Sequence, residues 1–171
     1  MVSFLFTNAA QCATPKVGDK APLVEGKNQD GKSWKLNETL GKKIVLLYFY
    51  PKDNTPGCTK EACGLRDRMA DLKKDGVEVI GVSFDSADSH QKFIQKYSLP
   101  FTLLSDPDKD VMTKWGAYGE KMMYGKKVTG TIRSSVWIGP DGKVIKHWKR
   151  VPKAETHPAS VLAELEGYEK G

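Results

Sequence analysis

The sequence predicts an α/β fold with a mixed central sheet flanked by helices, and three observations carry that reading. Apolar runs suited to buried strands alternate with segments of helical periodicity. The last third changes to a hairpin followed by a helix, a pattern that breaks a purely parallel sheet. No internal repeat or linker divides the 171 residues, so they form one layered domain.

An N-terminal arm, residues 1–15, precedes a domain spanning 16–171. Asn28-Gln29-Asp30-Gly31-Lys32 is a turn signal between two short segments and predicts an N-terminal hairpin. Residues 43–50, Lys-Ile-Val-Leu-Leu-Tyr-Phe-Tyr, are apolar at nearly every position, which predicts a central strand covered on both faces. Turn formers fill 51–57. Ala62, Leu65, Met69 and Leu72 then recur at three- and four-residue spacing, predicting one long helix closed by Gly76. Residues 77–84 read as a second buried strand. Residues 88–97 read as a helix with Phe93, Ile94 and Tyr97 on one side. A short strand at 100–104 and a short helix at 110–115 follow. Residues 118–130 read as a Lys- and Gly-rich connection. Residues 134–138 and 143–149 pair as a hairpin around Gly139-Pro140-Asp141-Gly142, and 158–165 form a C-terminal helix.

Composition narrows the function classes. Hydrophobic residues are 39% and charged residues 28%, ordinary for a globular chain. No apolar run approaches the length that crosses a bilayer, so no membrane role is expected. The net charge of +6 comes mainly from lysines spread along the chain, without a nucleic-acid-binding motif. A solvated basic surface is therefore expected, with no nucleic-acid partner. Three cysteines, Cys12, Cys58 and Cys63, are too few and odd in number for a disulfide scaffold. They point to reactive or incidental thiols. The first ten residues lack a basic start, and their apolar patch is too short for a signal peptide. A cytoplasmic protein is expected; the alternative is a periplasmic or organellar one whose arm is the remnant of a leader.

The chemistry concentrates in residues 50–63. This stretch ends a buried strand and opens a helix, where open α/β sheets tend to place their sites. Thr55-Pro56 reads as an N-cap followed by Pro at the first helical position, which puts Cys58 in the first turn. A thiolate is the reactive form of cysteine, and a free thiol with a pKa of about 8.5 is mostly protonated at neutral pH. Unpaired amides at a helix N-terminus favour the anion. On spacing alone, the alternatives are that Cys58 is a small buried apolar residue, Cys63 a core residue of the helix and Thr55 a plain cap. Zinc-type spacing and a Cys-x-x-Cys pair are both missing.

Pro51-x-x-x-Thr55-x-x-Cys58 resembles the peroxiredoxin active-site pattern. The longer run Tyr-Pro-Lys-Asp-Asn-Thr-Pro-Gly-Cys-Thr-Lys-Glu-Ala-Cys is similar to the bacterioferritin comigratory protein, or peroxiredoxin Q, subfamily. So are Arg66-Asp67, Gly81-Val82-Ser83-Phe84-Asp85, His90, Lys96-Tyr97, Pro100-Phe101, Leu103-Leu104-Ser105-Asp106 and Thr131-Ile132-Arg133-Ser134, in that order. The similarity spans about 17–165. Leu65 departs from it, standing where an aromatic is usual.

The resemblance implies a thioredoxin-like fold and a thiol peroxidase that needs no metal, haem or flavin. It puts the peroxidatic cysteine on Cys58, the resolving cysteine on Cys63 and the active-site arginine on Arg133. Thr55 and first-turn amides would hold the peroxide, and Pro51 would shape the pocket. The substrates implied are hydrogen peroxide and organic hydroperoxides. The reductant implied is thioredoxin or glutaredoxin, acting on a monomer. Two competing functions are a thioredoxin-like protein disulfide oxidoreductase, disfavoured by the missing Cys-x-x-Cys, and a basic binding module. Finally, two cysteines five positions apart on one regular helix have Cα atoms roughly 8 to 9 Å apart. A disulfide needs them within about 7 Å, so the pairing implies that the helix unwinds.

Overall fold

The computed structural model describes residues 14–170. Residues 1–13, most of the arm with Cys12, lie outside the described residues. Seven strands build one mixed sheet. In chain order they are β1 (Glu25–Lys27), β2 (Ser33–Lys35), β3 (Ile44–Phe49), β4 (Val77–Ser83), β5 (Thr102–Ser105), then β8 (Ser134–Ile138) and β9 (Val144–Trp148). Across the sheet the order is β2-β1-β5-β4-β3-β8-β9. β3 is parallel to β4 and β4 to β5, while the remaining pairs are antiparallel. The N-terminal hairpin is β1–β2, as its turn signal predicts.

Burial explains why the apolar run of β3 sits in the middle. All six of its residues are buried, and they alternate between two cores. Leu46 and Tyr48 face the core shared with Ala62, Leu65, Phe93 and Val161. Val45, Leu47 and Phe49 face the core of Trp34, Val82, Met112 and Trp115. The helices divide accordingly. Both crossovers, β3 to β4 through α1 (Pro56–Asp67) and α2 (Met69–Lys74), and β4 to β5 through α3 (Ala87–Tyr97), step in one direction along the sheet. Right-handed crossovers therefore put these helices on the same face. The C-terminal α5 (His157–Lys170) joins them, and the short α4 (Asp110–Lys114) covers the other face.

Two expectations are corrected. The helix expected to run unbroken to Gly76 breaks at Arg68 (φ −104°, ψ 2°). There the guanidinium takes the Gly64 carbonyl at 2.9 Å, and the Arg68 amide bonds Leu65 O instead. The four expected core residues stay buried all the same, because α2 continues over the same face. Residues 118–130 are no connection. They form a separate two-stranded ladder, β6 (Tyr118–Met123) with β7 (Lys126–Thr131). Tyr124 (φ 51°) and Gly125 (φ 77°) both turn through positive φ, as tight hairpin turns do. Lysines outward on a solvated ribbon hid its strand pattern.

Candidate active site

β3 runs into Tyr50 and Pro51, the loop 51–55 turns with Asn54 at φ 60°, and α1 begins at Pro56. Thr55 holds the N-cap backbone conformation, but its side chain does not cap. Its hydroxyl donates to Lys52 O at 2.8 Å. The expected cap is thus replaced by a bond inside the loop, which leaves the Thr55 oxygen as an acceptor. The first backbone bond of the helix runs from Thr59 N to Thr55 O at 2.9 Å. The Gly57 and Cys58 amides come before it and have no helical acceptor.

Cys58 sits in this first turn, 1% exposed. Cys63 is half-buried further along the same helix, and both are free thiols. Arg133, between β7 and β8, reaches across 75 residues of sequence and donates from Nη2 to Cys58 Sγ at 3.3 Å. The approach depends on Gly57, because a Cβ there would lie 3.2 Å from Nη2. The sheet register makes the meeting possible. β8 pairs with β3 from Phe49↔Ser134 onward, so the residue just before β8 lies beside the residues just after β3.

Sequence reasoning did not single out Glu61. Its carboxyl is fully buried, and Oε2 receives Arg133 Nη1 at 3.3 Å. Oε1 has no partner among the described residues. Burial pushes the carboxyl up to about 7, against the pull of the Arg133 guanidinium. Arg133 therefore serves two acids at equal distance. The signal available in the sequence was spacing, since Glu61 follows Cys58 by three positions on one helix face. Tyr48 is buried nearby and held neutral by burial and then by Glu61 and Cys58. His157, at the start of α5, is pushed down to about 4 by burial and by Arg133, and shares a 2.8 Å hydrogen bond with Ser135 Oγ.

A cleft of about 360 Å³ opens beside Arg133, lined by Pro51, Met122, Met123, Ile132, Arg133 and Val151, among others. The hairpin missed in the sequence thus supplies one wall. A second cleft, of about 350 Å³, lies near Lys43, Lys73 and Phe101 at the opposite strand ends, away from both thiols. Among the described residues, no three His, Cys, Asp or Glu side chains gather as a metal site.

A thioredoxin-like sheet with a thiol in a helix's first turn beneath a guanidinium defines a thiol-dependent peroxidase of the peroxiredoxin class. Residues 17–147 match the AhpC/TSA family, and the chain belongs to that family. It is 48% identical over 129 residues to peroxiredoxin Bcp of Escherichia coli K12, covering 75% of this chain and 82% of that one. With a bcp-type relative from Coxiella burnetii it shares 47% over 150 residues, 88% of this chain and 98% of the relative. Among solved structures, the bacterioferritin comigratory protein of Xanthomonas campestris superposes with a TM-score of 0.80 at 34% identity, covering 88% and 99% of the two chains. Alkyl peroxide reduction is described for that protein. Peroxiredoxin Q of Xylella fastidiosa gives 0.84 at 30% identity over 92% and 99%. The chain is thus a peroxiredoxin of the Bcp, or peroxiredoxin Q, subfamily.

Proposed function

We propose that Cys58 is the peroxidatic nucleophile and Cys63 the resolving thiol of this peroxidase. The observation that carries the reading is the 3.3 Å contact between Arg133 and the Cys58 sulfur at a helix N-terminus. In this reading a hydroperoxide enters beside Pro51. Thr55 Oγ, its own hydrogen engaged by Lys52 O, accepts the peroxide O–H hydrogen. The Gly57 and Cys58 amides and Arg133 stabilise charge as the O–O bond breaks. The Cys58 thiolate takes the terminal oxygen and becomes a sulfenic acid, and the leaving alkoxide or hydroxide takes a proton. The Cys63 thiol condenses with it, releasing water and forming a disulfide. Thioredoxin then returns two electrons by exchange, and the enzyme works as a monomer in the cytoplasm.

The test follows NADPH oxidation through thioredoxin reductase and thioredoxin, with hydrogen peroxide and an organic hydroperoxide. Cys58→Ser should lose all turnover. Cys63→Ser should consume one equivalent and then over-oxidise. Wild-type rates in Cys58→Ser would end the assignment.

A further inference from the structure

The loop 51–55 has two sides. One runs from Pro51, which lines the cleft beside Arg133, to Thr55 at the head of the helix that carries Cys58. The other is fastened to the body of the protein through Asp53. The Asp53 side chain is 2% exposed and His90, on α3, is 0% exposed. Asp53 Oδ1 accepts from the Tyr50 hydroxyl at 2.5 Å. Asp53 Oδ2 accepts from Ser89 Oγ at 2.8 Å and lies 2.7 Å from His90 Nδ1. His90 Nε2 lies 3.0 Å from Leu104 O. A carbonyl can only accept, so Nε2 carries a hydrogen. Burial, then Tyr48 and Asp53, hold Tyr50 well above its usual range, so its phenol remains a donor.

Burying a carboxylate against an imidazole is costly unless every partner is in place. Here Tyr50, just past β3, and Ser89 and His90 of α3 converge on one loop residue, while Leu104 of β5 holds the far side of the imidazole. Neither Asp53 nor His90 lines the cleft above Arg133, so neither can touch a peroxide there. The link to the reacting atoms is the peptide unit joining Lys52 and Asp53. Its N–H, on Asp53, donates to Asp85 Oδ2 at 2.8 Å. Its C=O, on Lys52, receives the Thr55 hydroxyl at 2.8 Å. The unit is planar and rigid, so fastening Asp53 fixes the direction in which the Thr55 oxygen offers its lone pairs. The turn also contains Asn54 at φ 60°, a conformation that surrounding structure must hold.

We propose that Asp53 and His90 are positioning residues for the peroxide step. Their buried pair clamps the loop on α3 and sets where Thr55 Oγ meets the hydroperoxide that Cys58 attacks. This rests on the assignment of Cys58 and Thr55 made above. The clamp acts on geometry, while Arg133 and the helix N-terminus act on the thiolate. Losing the clamp therefore slows oxidation without altering ionisation.

The experiment is a double-mutant cycle between His90→Gln and Thr55→Ala, read by the single-turnover rate of Cys58 oxidation with hydrogen peroxide. The pH profile of Cys58 alkylation is read beside it. His90→Gln should slow oxidation about 10- to 100-fold, the scale of a small misplacement at a reacting centre. Its alkylation profile should match the wild type. The combined variant should be no slower than the slower single variant, because both changes remove one effect. A lowered global stability alone would leave the rate of the folded protein unchanged. Wild-type oxidation rates in folded His90→Gln, multiplying losses in the combined variant, or a shifted alkylation profile that accounts for the loss, would each overturn the clamp. Wild-type rates in Thr55→Ala would instead overturn the role given to Thr55. If His90→Gln does not fold, Tyr50→Phe keeps the ring and removes one donor to Asp53. It should then slow oxidation several-fold in the same cycle, and an unchanged rate would overturn the clamp.

Discussion

Glu61→Gln offers the sharpest test of the electrostatics under the thiol. The wild-type carboxyl moves from an ordinary 4.5 to about 7 because burial outweighs Arg133. A carboxyl raised in the folded state holds its proton longer there than in the unfolded chain. Its contribution to stability is therefore full below about pH 4.5 and is lost as pH rises through about 7. That displacement, at about 1.4 kcal/mol per pH unit, amounts to about 3 kcal/mol. Glutamine cannot ionise, keeps the volume and can still accept from Arg133. Urea unfolding of the reduced protein at several pH values between about 4.5 and 8 measures both stabilities. The wild type minus Glu61→Gln difference should fall by about 3 kcal/mol over that range, all other groups cancelling. A difference that stays flat would mean that Glu61 titrates near its ordinary value. The claim that burial dominates over the guanidinium would then be refuted.

Arg133→Ala should move the midpoint of Cys58 alkylation to higher pH and slow oxidation, because it removes the cation 3.3 Å from the sulfur. Arg133→Lys should restore only part of the rate, since an ammonium cannot serve Cys58 and Glu61 as a fork; an unchanged profile in Arg133→Ala would separate Arg133 from the thiol. Amide exchange should show residues 55–66 less protected in the oxidised form, because Cys58 and Cys63 sit on one continuous helix in the reduced protein and roughly 8 to 9 Å between Cα atoms is too far for a disulfide. Equal protection in both forms, with the Cys58–Cys63 bond proven, would refute the unwinding.

What the sequence determined by itself is local. Period and composition placed β3, α3 and the β8–β9 hairpin, because burial on two faces or one leaves its mark residue by residue. The step from strand end to Pro56 put Cys58 in a first helical turn, since proline at the first helical position marks a helix start locally. Where the pattern was weak, the reading failed. The β6–β7 ladder has few buried residues, so it carries no strong periodicity, and the break at Arg68 depends on one side chain taking one carbonyl. Resemblance named Arg133, but only the tertiary structure decided its distance from Cys58 and its division between Cys58 and Glu61. Likewise, nothing local joins Asp53 to His90, 37 residues apart. The physical reason is that sheet register and helix packing choose such pairs. Those are set by the whole buried interface, whereas periodicity and capping are set within a few residues.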